Sequence, residues 1–367
     1  FLYILLYNRL MLTFLNTNVY QEEKNMKKSK KILSMGLAAL TALTMSISMT
    51  GCGSSDSSVS SVDGNSNNSK VYNIGICQLI QHEALDAATK GFKDTLTEKL
   101  GSKVKFDEQN AQGDSANCTT ICNQFVSSNV DLILGNGTAA LQAAYTNTDK
   151  IPVLGTSITD YATALDIKDW TGVSNMNVSG TSDLAPLEEQ AKMLNEIFPD
   201  AKNVGILYCS AEANSKYQAD SITPFLEKFG YKVSSYTFSD SNDIAAIAKD
   251  ACDKNDVLYI PTDNTAANNT GIINNIAIAA KTPIIAGEEG ICKGCGVATL
   301  SISYYELGQK TGEMAYDILV NGKDISKMEI QSAPNVTKMY DAERCKELGV
   351  KIPDAVSYTH LTLPTIA

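Results

Sequence analysis

Residues 71–92 read VYNIGICQLIQHEALDAATKGF. The first seven are a β-rich apolar run. Leu85, Ala88, Phe92 and Leu96 then recur at spacings of three and four, which predicts a helix with one apolar stripe. The rhythm continues outward from there. A strand is expected at 104–106, a helix at 114–128 with Asp114 as its N-cap, a strand at 130–135, a helix at 139–145 and a strand at 151–155. It restarts at Gly180 with a helix carrying Leu187, Ala191, Leu194 and Ile197. Strands at 203–208, 232–236, 257–260 and 283–286 then alternate with helices at 214–229, 243–252 and 265–280. Strand–helix repeats with such short connections predict parallel sheets covered on both faces by helices. Two runs of similar length, parted by coil at 171–179, predict an α/β protein of two doubly wound, Rossmann-like lobes.

That architecture places a ligand beyond the carboxyl ends of the strands. The residues there are polar. Gln78 and His82 follow the first strand, Asn136, Gly137 and Thr138 the third, and Thr156, Ser157, Thr159 and Asp160 the fourth. In the second half Ser210, Glu212, Asn214 and Ser215 follow one strand, Thr262, Asp263 and Asn264 the next, and Glu288 and Glu289 the last. Loops are polar by default, so the pattern locates a cleft without naming its occupant. The chemistry narrows the class. Hydroxyls and helix N-terminal amides at Thr138 and Ser157 suit a carboxylate. Glu212, Asp263 and Glu288 suit an ammonium, so a zwitterionic amino acid satisfies the split, and few aromatic rings are present to stack a sugar. On this reading Asp263→Ala weakens an amino-acid ligand by about 2–5 kcal/mol.

The stretches FDEQNAQGD, VDLILGNGTAALQAA, IPVLGTSITD, VGILYCSAEANSKYQ, IPTDNT and GVATLSISYYELG, together with the opening one, occur in order. They resemble a family of ABC transporter substrate-binding lipoproteins with a type I periplasmic-binding fold. The resemblance covers residues 71–354. It implies a hinged receptor without enzymatic activity or a bound cofactor, which closes on a small solute and delivers it to a membrane permease. Several members bind tryptophan, tyrosine or related amino acids, so an aromatic amino acid is the implied ligand. The family's first-strand motif falls on Gln78 and His82, its capping loop on Asn136 to Thr138, and its Thr-Asp-Asn turn on Thr262 to Asn264. A type I arrangement crosses between lobes three times, expected here at 171–179, 288–303 and 327–338. Residues 71–178 with 297–326 then form the first lobe, and 179–296 with 327–356 the second.

The ends carry a different kind of information. Residues 26–52 read MKKSKKILSMGLAALTALTMSISMTGC, with four lysines, an uncharged apolar core and small residues before Cys52. This is a secretory signal layout. Its end resembles a lipobox, which implies lipidation of Cys52, palmitate among the acyl chains, and a lipid-anchored location outside the membrane of a Gram-positive cell. A retained transmembrane helix is the rival reading of the same run. Residues 53–70 (GSSDSSVSSVDGNSNNSK) cannot bury enough apolar surface to order themselves and read as a tether. Residues 1–25 precede a complete signal and read as upstream translation, and 357–367 (SYTHLTLPTIA) as an adaptor-derived tail.

The formal charge is −11, and from residue 53 onward 24 Lys and Arg face 39 Asp and Glu, with Arg344 the one Arg. A nucleic-acid partner is therefore not expected. Cys292 and Cys295 form a CxxC, read as a disulfide or free thiol pair rather than a zinc knuckle, and Cys118 and Cys122 as core filling beside Phe125. No metal site is expected. No Gly-x-Ser-x-Gly elbow, phosphate loop or metal-ligand helix appears, which argues against a secreted enzyme. The secretion signal argues against the effector lobe of a transcription regulator. A nucleoside or sugar receptor of the same fold stays open, as does an added adhesive role. The chain is expected to be a monomer.

Overall fold

The computed structural model describes residues 70–353 and 359–360. The expected upstream segment 1–25, the signal 26–52 with Cys52, and the tether apart from Lys70 lie outside the described residues.

The first lobe runs β1 (Tyr72–Gln78), α1 (Glu83–Leu100), β2 (Val104–Asn110), α2 (Ser115–Ser127), β3 (Leu132–Asn136), α3 (Thr138–Asn147), β4 (Val153–Ile158), α4 (Tyr161–Leu165) and β5 (Val178–Ser182). The second runs α5 (Leu187–Ile197), β6 (Asn203–Cys209), α6 (Ala213–Lys228), β7 (Lys232–Phe238), α7 (Ile244–Lys254), β8 (Val257–Ile260), α8 (Asn264–Asn268), α9 (Thr270–Ala280), β9 (Ile284–Ala286), α10 (Glu289–Cys295) and β10 (Ala298–Ile302). Then come α11 (Tyr304–Leu319), β11 (Gln331–Ser332), β12 (Val336–Tyr340), α12 (Ala342–Leu348) and β13 (Thr359–His360). The sheet orders are β11-β5-β4-β3-β1-β2 and β13-β12-β10-β9-β8-β6-β7, parallel throughout except that β12 runs antiparallel to β10. Every residue of β3, β4, β8 and β9 is buried, as strands covered on both faces must be. The fold is thus the expected pair of α/β lobes, and no helix among the described residues is long and apolar enough to cross a membrane.

The lobe boundaries differ from those expected. Val178 pairs with Val153, and Ser182 with Ile158, so β5 completes the first sheet and the first crossing comes afterwards, at 183–186. The run at 297–301 was expected to return to the first lobe. Instead Ala298 pairs with Ile285 of β9 on one side and with Tyr340 of β12 on the other, so both edges of β10 are taken in the second sheet. The chain crosses at Ser303, and α11 alone returns at that point. A close approach holds it there. A Cβ on Gly308 would stand 2.0 Å from the Ala88 carbonyl oxygen, and one on Gly91 would stand 2.1 Å from that of Tyr305. The backbones of α1 and α11 can touch only because glycine has no side chain at those points. The third crossing, at 333–335, falls inside the segment expected for it, with β11 in the first sheet and β12 in the second.

The single helix expected over 265–280 is two, because Asn269 Nδ2 donates to the Thr265 carbonyl at 2.8 Å. That carbonyl would otherwise accept the Asn269 N–H, which bonds Ala266 instead. In the tail, Thr359–His360 pairs with β12. Edge pairing needs only free backbone groups and says nothing of the tail's origin.

Candidate functional site

The strand ends of both lobes face each other across a cleft, and side chains among the described residues bridge the lobes at several places. His82 Nε2 meets Asn264 Oδ1 at 3.1 Å. Gln218 Nε2 of α6 donates to Thr159 Oγ1 at 3.2 Å. Lys293 of α10 reaches Glu83 at the start of α1 while also pairing with Glu289 at 2.7 Å. Between the lobes lies a cavity of about 300 Å3. Leu79, Ile80, Gln112, Thr138, Ala139 and Gln142 line it from the first lobe, and Ala211, Glu212, Ala213, Asn214, Asn264 and Thr265 are among those lining it from the second. Such a volume is at the lower end of the ~300–1,000 Å3 of small-molecule sites.

In the first lobe the expected residues gather around the ends of β1, β3 and β4. Gln78 is tied into its own lobe: its amide donates to Asp86 at 2.6 Å and its Oε1 accepts from Thr89 at 2.7 Å. Asn136 is fully buried and donates to the Leu85 carbonyl at 2.8 Å and to Thr89 Oγ1 at 2.9 Å. Gly137, at φ 97, opens α3, and Thr138 is its first residue. Thr156 is buried against Thr181. Asp160 caps α4 through Thr163 N at 2.7 Å. Ser157 sits in the left-handed region at φ 58, uncommon for a residue with a side chain. Three buried polar atoms here have no hydrogen-bond partner among the described residues: His82 Nδ1, Asn136 Oδ1 and Ser157 Oγ. Burial also lowers the pKa of His82, against the pull of Asn264 and nearby carboxylates.

The second lobe spends its acids differently. Glu212 Oε1 accepts from Thr265 N and Oγ1, both at 2.8 Å, and Oε2 accepts from Asn264 N at 3.0 Å and Nδ2 at 2.7 Å. Asp263 caps α8 through Ala266 N at 2.7 Å and holds Cys209 N at 2.6 Å. Glu288 caps α10 through Gly290 N at 2.6 Å and Ile291 N. Burial pushes Asp263 up to about 7, with help from Glu212, and pushes Glu288 up to about 7 as well. All three carboxylates, expected to meet an ammonium, are engaged by backbone amides. Ser210 donates to the Phe238 carbonyl at 3.2 Å, and Asn214 and Ser215 hold the Thr262 carbonyl.

Sequence reasoning did not single out Gln218, Asp183 or Tyr304. Gln218 also bonds both Thr262 N and Thr262 O at 3.2 Å. Asp183, in the first crossing, accepts from Thr159 Oγ1 at 3.1 Å and from the Tyr304 hydroxyl at 2.9 Å. The thiols of Cys292 and Cys295 are free and buried, as are Cys118 and Cys122 on the face with Phe125. No group of three or more metal-ligating side chains occurs among the described residues.

The profile of the family described as ABC transporter substrate binding protein matches residues 73–361. The chain belongs to that family. It is a substrate-binding protein, not an enzyme, and such proteins take up a small molecule and deliver it to an ABC permease. A tyrosine-binding protein of Clostridioides difficile is 36% identical over 330 residues, which is 89% of this chain and 94% of that protein. A Streptococcus pneumoniae ABC domain in complex with L-Trp is 29% identical, with a TM-score of 0.75, covering 78% of this chain and 97% of that one. A ligand-free, open substrate binding protein with adhesive properties from Clostridium difficile is 35% identical, with a TM-score of 0.62, covering 80% of this chain and 100% of that one. The family member superposes better on the L-Trp complex than on the open protein, although it shares more sequence with the latter. The side-chain bridges between its lobes agree with a closed arrangement.

Proposed function

We propose that the protein is the lipid-anchored receptor of an ABC importer and that it closes on an aromatic amino acid: tyrosine, tryptophan or phenylalanine. The observation that carries this reading is the interlobe cavity of about 300 Å3, lined by apolar and amide side chains from both lobes. Leu79, Ile80, Ala139, Ala211 and Ala213 offer the ring an apolar bed, and Gln112, Gln142, Asn214 and Asn264 offer hydrogen bonds around it. The amides opening α3 at Thr138, together with Ser157 Oγ, take the α-carboxylate. The remaining expected residues shape the cleft from behind. The likeness to a tyrosine-binding protein and to an L-Trp complex supports the same ligand class.

A thermal-shift screen of the mature chain against the twenty amino acids, nucleosides and common sugars tests this. A ligand at a hundredfold excess over Kd adds about 2.7 kcal/mol of stability. Shifts confined to the aromatic amino acids are expected, and a shift with nucleosides or sugars alone overturns the ligand while keeping the transporter class. The anchor is proposed on Met49-Thr50-Gly51-Cys52 preceding the Ser-, Gly- and Asn-rich tether. Metabolic labelling with a palmitate analogue should mark the wild type and leave Cys52→Ala unlabelled. Sedimentation should give a monomer.

A further inference from the structure

An amino-acid ligand brings an ammonium, and the structure shows where the cleft has a negative charge to spare. Glu212, Asp263 and Glu288 are taken by backbone amides. Asp160 caps α4, and Glu83 and Glu289 share Lys293. Asp240 lines the cavity but is exposed to water and accepts from Asn242 N at 2.7 Å. Asp183 differs from all of these in being buried with only neutral hydroxyl donors. It is 3% exposed, and its two oxygens accept one hydrogen bond each from the neutral hydroxyls of Thr159 and Tyr304. No lysine or arginine pairs with it among the described residues. A carboxylate has about four acceptor positions, so roughly half of this one's capacity is unused.

Its surroundings suit a zwitterion. Asp183 N donates to the Ile158 carbonyl at 3.1 Å, which sets the residue beside Ser157, whose Oγ is buried without a partner. A hydroxyl donor and a carboxylate at the ends of the adjacent strands β4 and β5 match the adjacent carboxylate and ammonium of an amino acid. Asp183 lies behind the cavity wall, linked to it by hydrogen bonds. Asn214 lines the cavity, Gln218 Nε2 lies 3.3 Å from the Asn214 carbonyl and 3.2 Å from Thr159 Oγ1, and Thr159 bonds Asp183. The Gln218–Thr159 bond runs between the lobes, so it breaks when they part and frees the Thr159 side of Asp183.

We propose that Asp183 is the counter-charge for the ligand's ammonium, placed at the crossing between the lobes. Burying a carboxylate without a cation is costly, and an ammonium entering a closed cleft removes that cost. Burial raises the Asp183 pKa, in keeping with a desolvated acid lacking a cation. The position has a second consequence. Asp183 and Tyr304 lie at two of the three crossings, so a cation held there is sensed by the segments that bend when the lobes close.

This inference rests on the amino-acid reading, and titration calorimetry can separate the two. Wild type and Asp183→Asn are each titrated with L-tyrosine and with 3-(4-hydroxyphenyl)propanoate, which is tyrosine without its ammonium. L-Tryptophan and indole-3-propanoate are run in parallel. Wild type should prefer the amino acid by roughly 30-fold or more, and Asp183→Asn should shrink that ratio to within about threefold while binding the propanoate as before. A merely structural residue would weaken both ligands together and leave the ratio intact, which would overturn the assignment. Wild type binding neither aromatic amino acid would instead bring down the amino-acid reading itself, and this inference with it. Should Asp183→Asn fail to fold, a crystal structure of the wild-type tyrosine complex decides. An ammonium nitrogen at about 3 Å from an Asp183 oxygen is expected, and one beyond hydrogen-bond reach overturns the proposal.

Discussion

At the strand ends of the first lobe, His82, Asn136 and Ser157 each keep one buried polar atom without a protein partner. At those of the second lobe, Glu212, Asp263 and Glu288 are each held by two backbone amides, most of them at the openings of α8 and α10. One other buried side-chain atom without a partner among the described residues, Thr299 Oγ1, belongs to β10 and not to a strand-end loop. Similar polar residues therefore serve two ends. The second lobe uses them to fix its own backbone, so it meets the ligand as a shaped wall. The first keeps hydrogen-bonding capacity in reserve, which a buried group does at a cost unless something completes it.

The sharpest way to break this contrast is to damage the second lobe's own bonding. Arg344 pairs with buried Asp341 at 3.0 Å and donates to the carbonyls of Cys292, Lys293, Gly294 and Gly296 around the end of α10. Arg344→Ala leaves that acid and those carbonyls uncompensated. A loss of about 3–5 kcal/mol is expected in urea unfolding. An unchanged midpoint would mean that the second lobe does not depend on its internal polar network.

A change of pH asks the same question of Glu288. Its folded pKa is raised from 4.5 to about 7. Between those values the folded chain holds a proton that the unfolded chain has released. The group's contribution is thus full below about pH 4.5 and lost as pH rises through about 7, amounting to about 3 kcal/mol at most. Asp263, also raised to about 7, acts in the same direction. Urea unfolding at pH 5 and pH 7.5 should show lower stability at the higher pH from these two groups, and Glu288→Gln should remove about half of that difference. An unaltered difference would show that Glu288 is ionised in the fold at both pH values.

Asp263→Ala separates shape from contact. Losing the cap of α8 and the partner of Cys209 N should cost about 2 kcal/mol of stability. Tyrosine affinity of the folded fraction should change by less than about tenfold, below the 2–5 kcal/mol expected of a direct ammonium contact. A larger loss of affinity would return the ammonium to this residue.

The smallest effect belongs to the first lobe. Ser157→Ala removes a hydroxyl that bonds nothing among the described residues, so thermal unfolding without ligand should be unchanged. Tyrosine affinity should fall by the worth of one hydrogen bond, about 0.5–1.5 kcal/mol, read by calorimetry. A stability loss with unchanged affinity would make Ser157 an ordinary structural residue.

Some of the site was open to a closer reading of the chain. Asp263 and Glu288 each stand immediately before a helix, where an acidic side chain is a capping signal, as Asp114 was read to be. Glu212 also stands immediately before a helix, α6, but does not cap it; the amides it holds lie 52 and 53 residues further on. Asp183 gave no local sign either. Its partners Thr159 and Tyr304 are 24 and 121 residues away, and only the meeting of two crossings brings them together.

Periodicity along the chain was enough to fix the strand–helix alternation, because a stripe at spacings of three and four, or a short β-branched run, expresses local geometry and burial. It was also enough to put the polar residues at the strand ends. Which sheet β10 joins was decided elsewhere, by the free edges of β9 and β12 and by the glycine contact that carries α11 back to the first lobe. The bonding of Glu212 and of Asp183 was likewise tertiary. A carboxylate's role depends on which donors reach it in space, and a sequence specifies those donors only through the completed fold.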